Sequence, residues 1–372
     1  MNIGLPKEIK TSEYRVAITP SGVEKLTQAG HKVYVENSAG VGSGYSNLMY
    51  EQAGATIVGL NEVWSHPLIV KVKEPLGTEF GKMQSGQVIF TYLHLAASKD
   101  LTLRLLEKNV IAYAYETVQL EDGSLPLLIP MSEVAGKLSV QAGAYCLETA
   151  HGGKGVLLGG VTGVHPANVT ILGAGVAGTN ATIVAHGMGA RVTVLDINEE
   201  RLNKIQSMFT WKSGNNNVYT IKSTPKEIEQ AVITADLVIS TILIRGAKAP
   251  KLITRQMLMN MERGSAFVDV SIDQGGAAES SVATTHTNPT YVECGVVHYC
   301  VANMPGAVPY TSTRALTNAT LPYILDLANN PLNPDKPALV KGLNIFTGRI
   351  SIKEVAEAHN VNAYGKDVEC LT

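Results

Sequence analysis

The chain has 372 residues, of which 45% are hydrophobic and 17% charged, and a formal charge of -2. This is too long for one hydrophobic core and too apolar for disorder, so two globular domains are expected. A near-neutral chain without basic runs gives nucleic acid or an anionic membrane no electrostatic handle, which leaves a small-molecule ligand.

The opening "MNIGLPKEIKTSEYR" starts as a short strand and then becomes charged, without the apolar core of a signal peptide. "PSGVEKLTQAG" reads as a helix closing on Gly30 and "HKVYVE" as a strand, which makes one strand-helix-strand unit. Ahead of that helix, Arg15 in "EYRVAITP" is a charged residue at the edge of an apolar run, suited to hold a carboxylate by two parallel hydrogen bonds. Next come "GATIV" and "HPLIVKVKEP", in which Pro75 ends the strand just after Lys73, a point charge for the same task. "VIFTYLHLAAS" is a strand by its β-branched and aromatic residues, yet carries His94 before a run of small residues. Buried strands have no packing use for an imidazole, whereas the carboxyl ends of α/β strands are where ligands bind. Each of Arg15, Lys73 and His94 taken singly is more often surface charge or satisfied core. Three strand-end polar groups in one domain are less easily dismissed. After the helix "ASKDLTLRLLEKN" and the strand "VIAYAYETV", a parallel sheet wound by helices is the economical architecture.

"SEVAGKLSVQAGAYCLETA" reads as a connecting helix into a second unit, which begins "ANVTILGAGVAGTN". Gly173, Gly175 and Gly178 form a GxGxxG motif preceded by the strand "VTIL" and followed by helix-compatible residues, the context that gives the motif meaning. Such glycines permit a tight turn, approach of a pyrophosphate and close helix packing, with phosphate charge at the helix amino end. Asp196 closes the next strand in "VTVLD", where a carboxylate binds ribose hydroxyls and repels a 2′-phosphate, so NAD is favoured over NADP. Arg201 just downstream reads as a solvated helix charge. "ADLVIST" and "SAFVDVS" continue the sheet. In "FVDVSIDQGG", Asp269 lies inside the strand and needs partners, while Asp273 lies beyond its end and is the better candidate for chemistry. Asn303, in the loop "CVANMPGAVP", is suited to bind a carboxamide or ribose.

The final 65 or so residues are expected to be helical and to pack on the first domain. Cys146, Cys294, Cys300 and Cys370 show no CxxC spacing, which points to reduced thiols and to no metal site. Apolar runs such as "LPLLIP" fall short of the roughly 20 residues of a membrane helix. A soluble, cytoplasmic protein with no membrane partner is expected.

These motifs together make the chain similar, over essentially its whole length, to the family of alanine dehydrogenase and the NAD-binding subunit of transhydrogenase. The resemblance rests on "IGLPKEIKTSEYRVAITP", "KVKEP", "FTYLHLAAS", "AYETV", "LPLLIPMSEVAGKLS", "GGKGVLLGGVTGV", "LGAGVAG", "VLDIN", "DQGG", "CVANMPGAVP" and "TNATLPY". Lys73 and His94 match the alanine enzyme rather than the transhydrogenase subunit. It implies an α/β fold of two Rossmann-like, doubly wound parallel-sheet domains with a cleft between them. The substrate domain would comprise residues 1–128 plus 307–372, and the NAD-binding domain residues 129–306.

The implied activity is reversible, NAD-dependent oxidative deamination of L-alanine to pyruvate and ammonia in a homohexamer. Arg15 and Lys73 would bind the substrate carboxylate, His94 would be the acid/base and Asp273 would help activate water. NAD contacts are implied from Ser132, Val176, Ala177, Asp196, Arg201, Ser223, Ile242 and Leu243, from Val270, Ser271, Ile272 and Asp273, and from Val301, Ala302, Asn303 and Met304. Rival expectations are a dehydrogenase of another small amino or keto acid, and a non-catalytic, NAD-binding transhydrogenase-like subunit.

Overall fold

The computed structural model describes residues 1–210, 217–242 and 249–361, so Leu243 and Cys370 lie outside the described residues. Two compact units emerge: residues 1–131 with the chain from Val308 onward, and Ser132–Ala307.

The first unit opens with six strands: β1 (Asn2–Leu5), β2 (Lys32–Glu36), β3 (Thr56–Val58), β4 (Leu68–Val70), β5 (Val88–Thr91) and β6 (Ile111–Ala114). All pair in parallel. A parallel sheet covered on both faces needs apolar residues at successive positions, which is why "LIV" and "VIFT" are continuous runs rather than alternating ones. Leu68, Val70, Val88 and Phe90 enter one core, while Ile69, Ile89, Ala112 and Ala114 enter another on the opposite face. The helix Pro20–Gln28 starts where the side chain of Thr19 accepts the Gly22 N–H, with Pro20 in the first turn.

The second unit repeats the plan with β7 (Asn168–Leu172), β8 (Arg191–Asp196), β9 (Val218–Lys222), β10 (Leu237–Ser240), β11 (Ala266–Asp269), β12 (Thr290–Glu293) and β13 (Val296–Tyr299). Its order is β12-β13-β11-β10-β7-β8-β9, with β12 antiparallel at the edge.

The closing segment corrects one expectation. It supplies the 21-residue helix Pro309–Asn329 but is not helical throughout. β14 (Leu343–Phe346) and β15 (Arg349–Ile350) add to the first sheet, antiparallel, giving β15-β14-β6-β5-β4-β1-β2-β3. Thr347 and Gly348 join them with φ of 48° and 70°. Positive φ at both central residues is the tight hairpin turn whose twist matches paired strands. Two strands of four and two residues are too short to announce themselves by periodicity.

Read from β3 and from β9, the two sheets have one order: the first strand of the unit lies at the centre, the second and third to one side, and the fourth and fifth to the other. That is the doubly wound arrangement, whose reversal points are β1/β4 and β7/β10. Ligands of such sheets bind beyond the carboxyl ends of the strands at the reversal point.

Candidate active site

In the first unit the segments leaving β1, β4 and β5 carry Arg15, Lys73 and His94. Arg15 is buried at 2% exposure. Its Nε donates to Glu13 Oε1 at 2.7 Å and its Nη2 to Glu13 Oε2 at 2.5 Å, a two-pronged pair, while Nη1 lies 3.1 Å from Met131 Sδ. Burial alone pushes the Glu13 carboxyl up, but the Arg15 hydrogen bonds and charge, with help from Lys73, bring it down to about 2.

Lys73 is half-buried three residues beyond β4. Burial, then the charge of Arg15, pull its ammonium below the ordinary lysine value, and Glu13 opposes them. Its backbone is held from two sides: Glu8 Oε1 accepts the N–H groups of Val72 at 2.7 Å and Lys73 at 3.4 Å, and Thr91 Oγ1 donates to the Lys73 carbonyl at 2.9 Å. Two residues earlier Lys71 is wholly buried, its Nζ 2.8 Å from Glu79 Oε1 and 3.3 Å from Glu8 Oε2. The two lysines of "KVKEP" thus have different work, one internal and one beside Arg15.

His94 is not a core histidine. It stands three residues past β5, with its side chain 54% exposed and a left-handed backbone of φ 50°. Glu116, just beyond β6, accepts the backbone N–H of His94 at 2.5 Å and that of Leu93 at 3.2 Å, and lies 3.8 Å from His94 Nδ1. The imidazole lies parallel to the ring of Tyr92, with centroids 5.9 Å apart, and the Tyr92 hydroxyl donates to the Leu127 carbonyl at 2.6 Å. Glu8, Glu13 and Glu116 escaped the sequence reading. The only available signal was a carboxylate lodged among residues otherwise bound for the core, as in "AYETV".

In the second unit the loop leaving β7 is shaped by its glycines. Gly173 has φ 105°, and a β-carbon on Gly178 would lie 1.8 Å from the Gly173 carbonyl oxygen. Around Gly175, by contrast, nothing comes within 4 Å of where a β-carbon would sit, and no side chain caps the helix Val176–Gly187 that it precedes. Amide groups at that end are therefore left to an anion. A second helix, Ile129–Cys146, packs so closely on the first turn of that helix that a β-carbon on Gly136 would lie 2.1 Å from the Ala177 carbonyl oxygen. Asp196, at the end of β8, accepts the Ala174 N–H at 2.6 Å through Oδ2 and the Asn198 N–H at 2.8 Å through Oδ1. A carboxylate has lone pairs beyond these two bonds, so it remains able to accept ribose hydroxyls. The tight turn, the open helix end and the following carboxylate fit a dinucleotide.

The other expected contacts lie on several elements of the second unit. Ser223 donates its N–H to the Asp196 carbonyl at 2.9 Å, and Ile242 follows β10. Arg201 is exposed on the helix Glu199–Thr210, Val176 opens the glycine-loop helix with Ala177 next to it, and Ser132 is half-buried in the first turn of Ile129–Cys146.

Beyond β11 the chain makes a tight turn, Val270–Gln274, in which Ser271 and Ile272 are buried and Asp273 is exposed. Ser271 Oγ lies 3.1 Å from Ser240 Oγ. Asp273 accepts the Asn303 N–H at 3.2 Å, with Asn303 itself at φ 59°. Val301 and Met304 are buried on either side of half-buried Ala302 and Asn303. Asp269 is fully buried and accepts from Ser271 N at 3.0 Å, Ala277 N at 2.9 Å and Ser281 Oγ at 2.6 Å. It anchors the loop, and Asp273 alone of the two faces solvent.

Two wound sheets, one carrying a dinucleotide loop and the other a cationic strand-end cluster with an exposed imidazole, define a dinucleotide-binding protein of the oxidoreductase type. Comparison with known proteins resolves the class. Residues 4–135 match the family described as Alanine dehydrogenase/PNT, N-terminal domain, and residues 139–353 match Alanine dehydrogenase/PNT, C-terminal domain. The chain belongs to this family. It is 53% identical over 97% of both chains to an alanine dehydrogenase of Geobacillus stearothermophilus, and 53% identical, with the same coverage, to one of Methanococcus maripaludis. A solved L-alanine dehydrogenase superposes with a TM-score of 0.93 at 49% identity, covering 97% of this chain and 99% of that one. A transhydrogenase from Sinorhizobium meliloti shares the fold, with a TM-score of 0.82 at 23% identity over 95% of this chain and 99% of its own.

Proposed function

We propose that the protein catalyses the reversible, NAD-dependent oxidative deamination of L-alanine to pyruvate and ammonia. The observation that carries this reading is the 53% identity to alanine dehydrogenases over 97% of the chain, with no strand-end group of the expected constellation missing. Gly173, Gly175, Gly178 and Asp196 would hold NAD, with Ser132, Val176, Ala177, Arg201, Ser223, Ile242, Leu243, the turn Val270 to Asp273, and Val301 to Met304 around it. When bound, NAD accepts the hydride that leaves the substrate Cα.

The protein's own part is to bind, orient and move protons. Arg15 and Lys73 receive the substrate carboxylate, one as a fork and one as a point charge. His94, exposed at the end of β5 with Nδ1 turned toward Glu116, takes the amine proton through Nε2 and returns it later. Loss of hydride leaves an imine, to which water adds. Asp273, oriented by the Asn303 N–H, assists that water, and the carbinolamine collapses to ketone and ammonia.

The family resemblance supports a homohexamer, which sedimentation of the purified protein tests. Among the described residues no helix is long and apolar enough to cross a membrane. The free thiols Cys146, Cys294 and Cys300 support a cytoplasmic location. The test of the reaction is NADH absorbance with L-alanine and NAD at alkaline pH, parent against His94→Ala. Turnover that falls about a hundredfold or more in the variant is expected, the usual worth of acid-base catalysis. A parent that binds NAD but does not turn over alanine would refute the assignment.

A further inference from the structure

The cation pair Arg15 and Lys73 has a third member that the reaction does not use directly. Glu13 has a side-chain exposure of 0%, and a carboxylate so placed persists only when paired. It takes the Nε and Nη2 edge of Arg15, which sets the plane of the guanidinium by the plane of the carboxylate and removes rotation about the side chain's long axis. We propose that Glu13 is a positioning residue for substrate recognition: it aligns Arg15 and offsets the repulsion between Arg15 and Lys73, so that both cations meet one carboxylate together. The inference rests on the assignment of Arg15 and Lys73 to the substrate carboxylate.

Charge bookkeeping around Lys73 supports this role. The groups that face it are Arg15, Glu13 and Lys10 from the segment after β1 and Glu74 from its own strand end, while Tyr92, beyond β5, faces Arg15. Lys10 and Glu74 neutralise each other at 2.6 Å. Glu8 accepts the Lys73 backbone N–H and is ion-paired with Lys71, which in turn is paired with Glu79. Arg15, Lys73 and Glu13 by themselves sum to one net positive charge, while Lys71 with its two carboxylates sums to one negative. Without Glu13 two cations stand together in a largely desolvated place. Burial and Arg15 already draw the Lys73 ammonium toward deprotonation, and Glu13 is the charge that most strongly resists. At the alkaline pH that favours amine oxidation, Glu13 keeps the clamp charged.

The experiment measures Lys73 directly in the intact, substrate-free protein: competitive acetylation by acetic anhydride across pH, with the Lys73 peptide quantified by mass spectrometry. In Glu13→Gln the midpoint of Lys73 reactivity is expected to move down by about one pH unit or more, the effect of losing a close opposite charge. The alkaline limb of kcat/KM for L-alanine should move with it, and KM should rise more than kcat falls. Glu13→Asp, which draws the charge back by one methylene, is expected to raise KM and to lower the Lys73 midpoint by less than Glu13→Gln does. An unmoved midpoint in Glu13→Gln would overturn the proposal and leave Glu13 a packing residue. Should Glu13→Gln fail to fold, an unmoved midpoint in Glu13→Asp would overturn it in the same way. Lys73→Ala serves as the separate control: unchanged carboxylate affinity there would refute the substrate assignment, whereas the acetylation profiles judge Glu13 alone.

Discussion

Gly178→Ala makes the severest demand on the dinucleotide loop. The added β-carbon would lie 1.8 Å from the Gly173 carbonyl oxygen and 2.9 Å from Thr241 Oγ1, where ordinary contact begins near 3.4 Å. The obstacle at 1.8 Å is backbone, so no side-chain rotation relieves it. The turn and the helix Val176–Gly187 must part by about 1.5 Å. Overpacking at a site that cannot give costs about 3 kcal/mol, the upper part of the usual range. For a unit of this size that lowers Tm by roughly 6–12 °C. The same displacement moves the amide groups that would meet the pyrophosphate, and an error of about 1 Å in such a site costs on the order of a hundredfold. Calorimetry gives the first number, and titration of NADH fluorescence gives the second. A variant that melts with the parent and binds NADH with the parent's affinity would refute the close-packing argument for this glycine. Gly175→Ala is the matched comparison: nothing lies within 4 Å of its β-carbon position, so stability should hold while dinucleotide affinity falls.

Other consequences are equally open to measurement. Glu13 lies at about 2 in the folded protein against an ordinary 4.5. Because the folded value is the lower, its stabilisation is complete above about pH 4.5 and is lost as the pH falls toward 2, an effect of about 3 kcal/mol. Urea unfolding between pH 6 and 3 should show about 2 kcal/mol of this loss in the parent and a shallower fall in Glu13→Gln. Glu116→Gln weakens the acceptor for the Leu93 and His94 N–H groups and should lower kcat about tenfold with the fold intact, read by steady-state kinetics beside circular dichroism. Burial pushes the Cys146 and Cys300 thiols up to about 12, so both should resist a thiol-directed chromophore until the protein is denatured.

Legibility differed by kind of signal. Continuous apolar runs revealed the central parallel strands, because a sheet covered on both faces asks for them. Gly173, Gly175, Gly178 and Asp196 were legible because a phosphate turn restricts which residue types fit each position. The hairpin β14 and β15 was not legible: β14 is held by pairing to β6, a partner more than two hundred positions away in the chain, and β15 only by pairing to β14, not by local pattern. Glu8, Glu13 and Glu116 were likewise hidden, since a glutamate's fate depends on which donors the fold brings to it.

What the sequence determined by itself, then, was everything encoded within a few neighbouring residues: strand runs, the glycine turn, its helix, and the candidates Arg15, Lys73, His94 and Asp273. The tertiary structure decided the rest. It made Lys71 an internal ion-pair partner and set Lys73 beside Arg15, and it turned His94 out to solvent in a left-handed backbone braced by Glu116. It buried Asp269 as an anchor while leaving Asp273 exposed. The physical reason is the same in each case: the role of an ionisable group is set by desolvation and by the partners within hydrogen-bond reach, and both are properties of the folded arrangement.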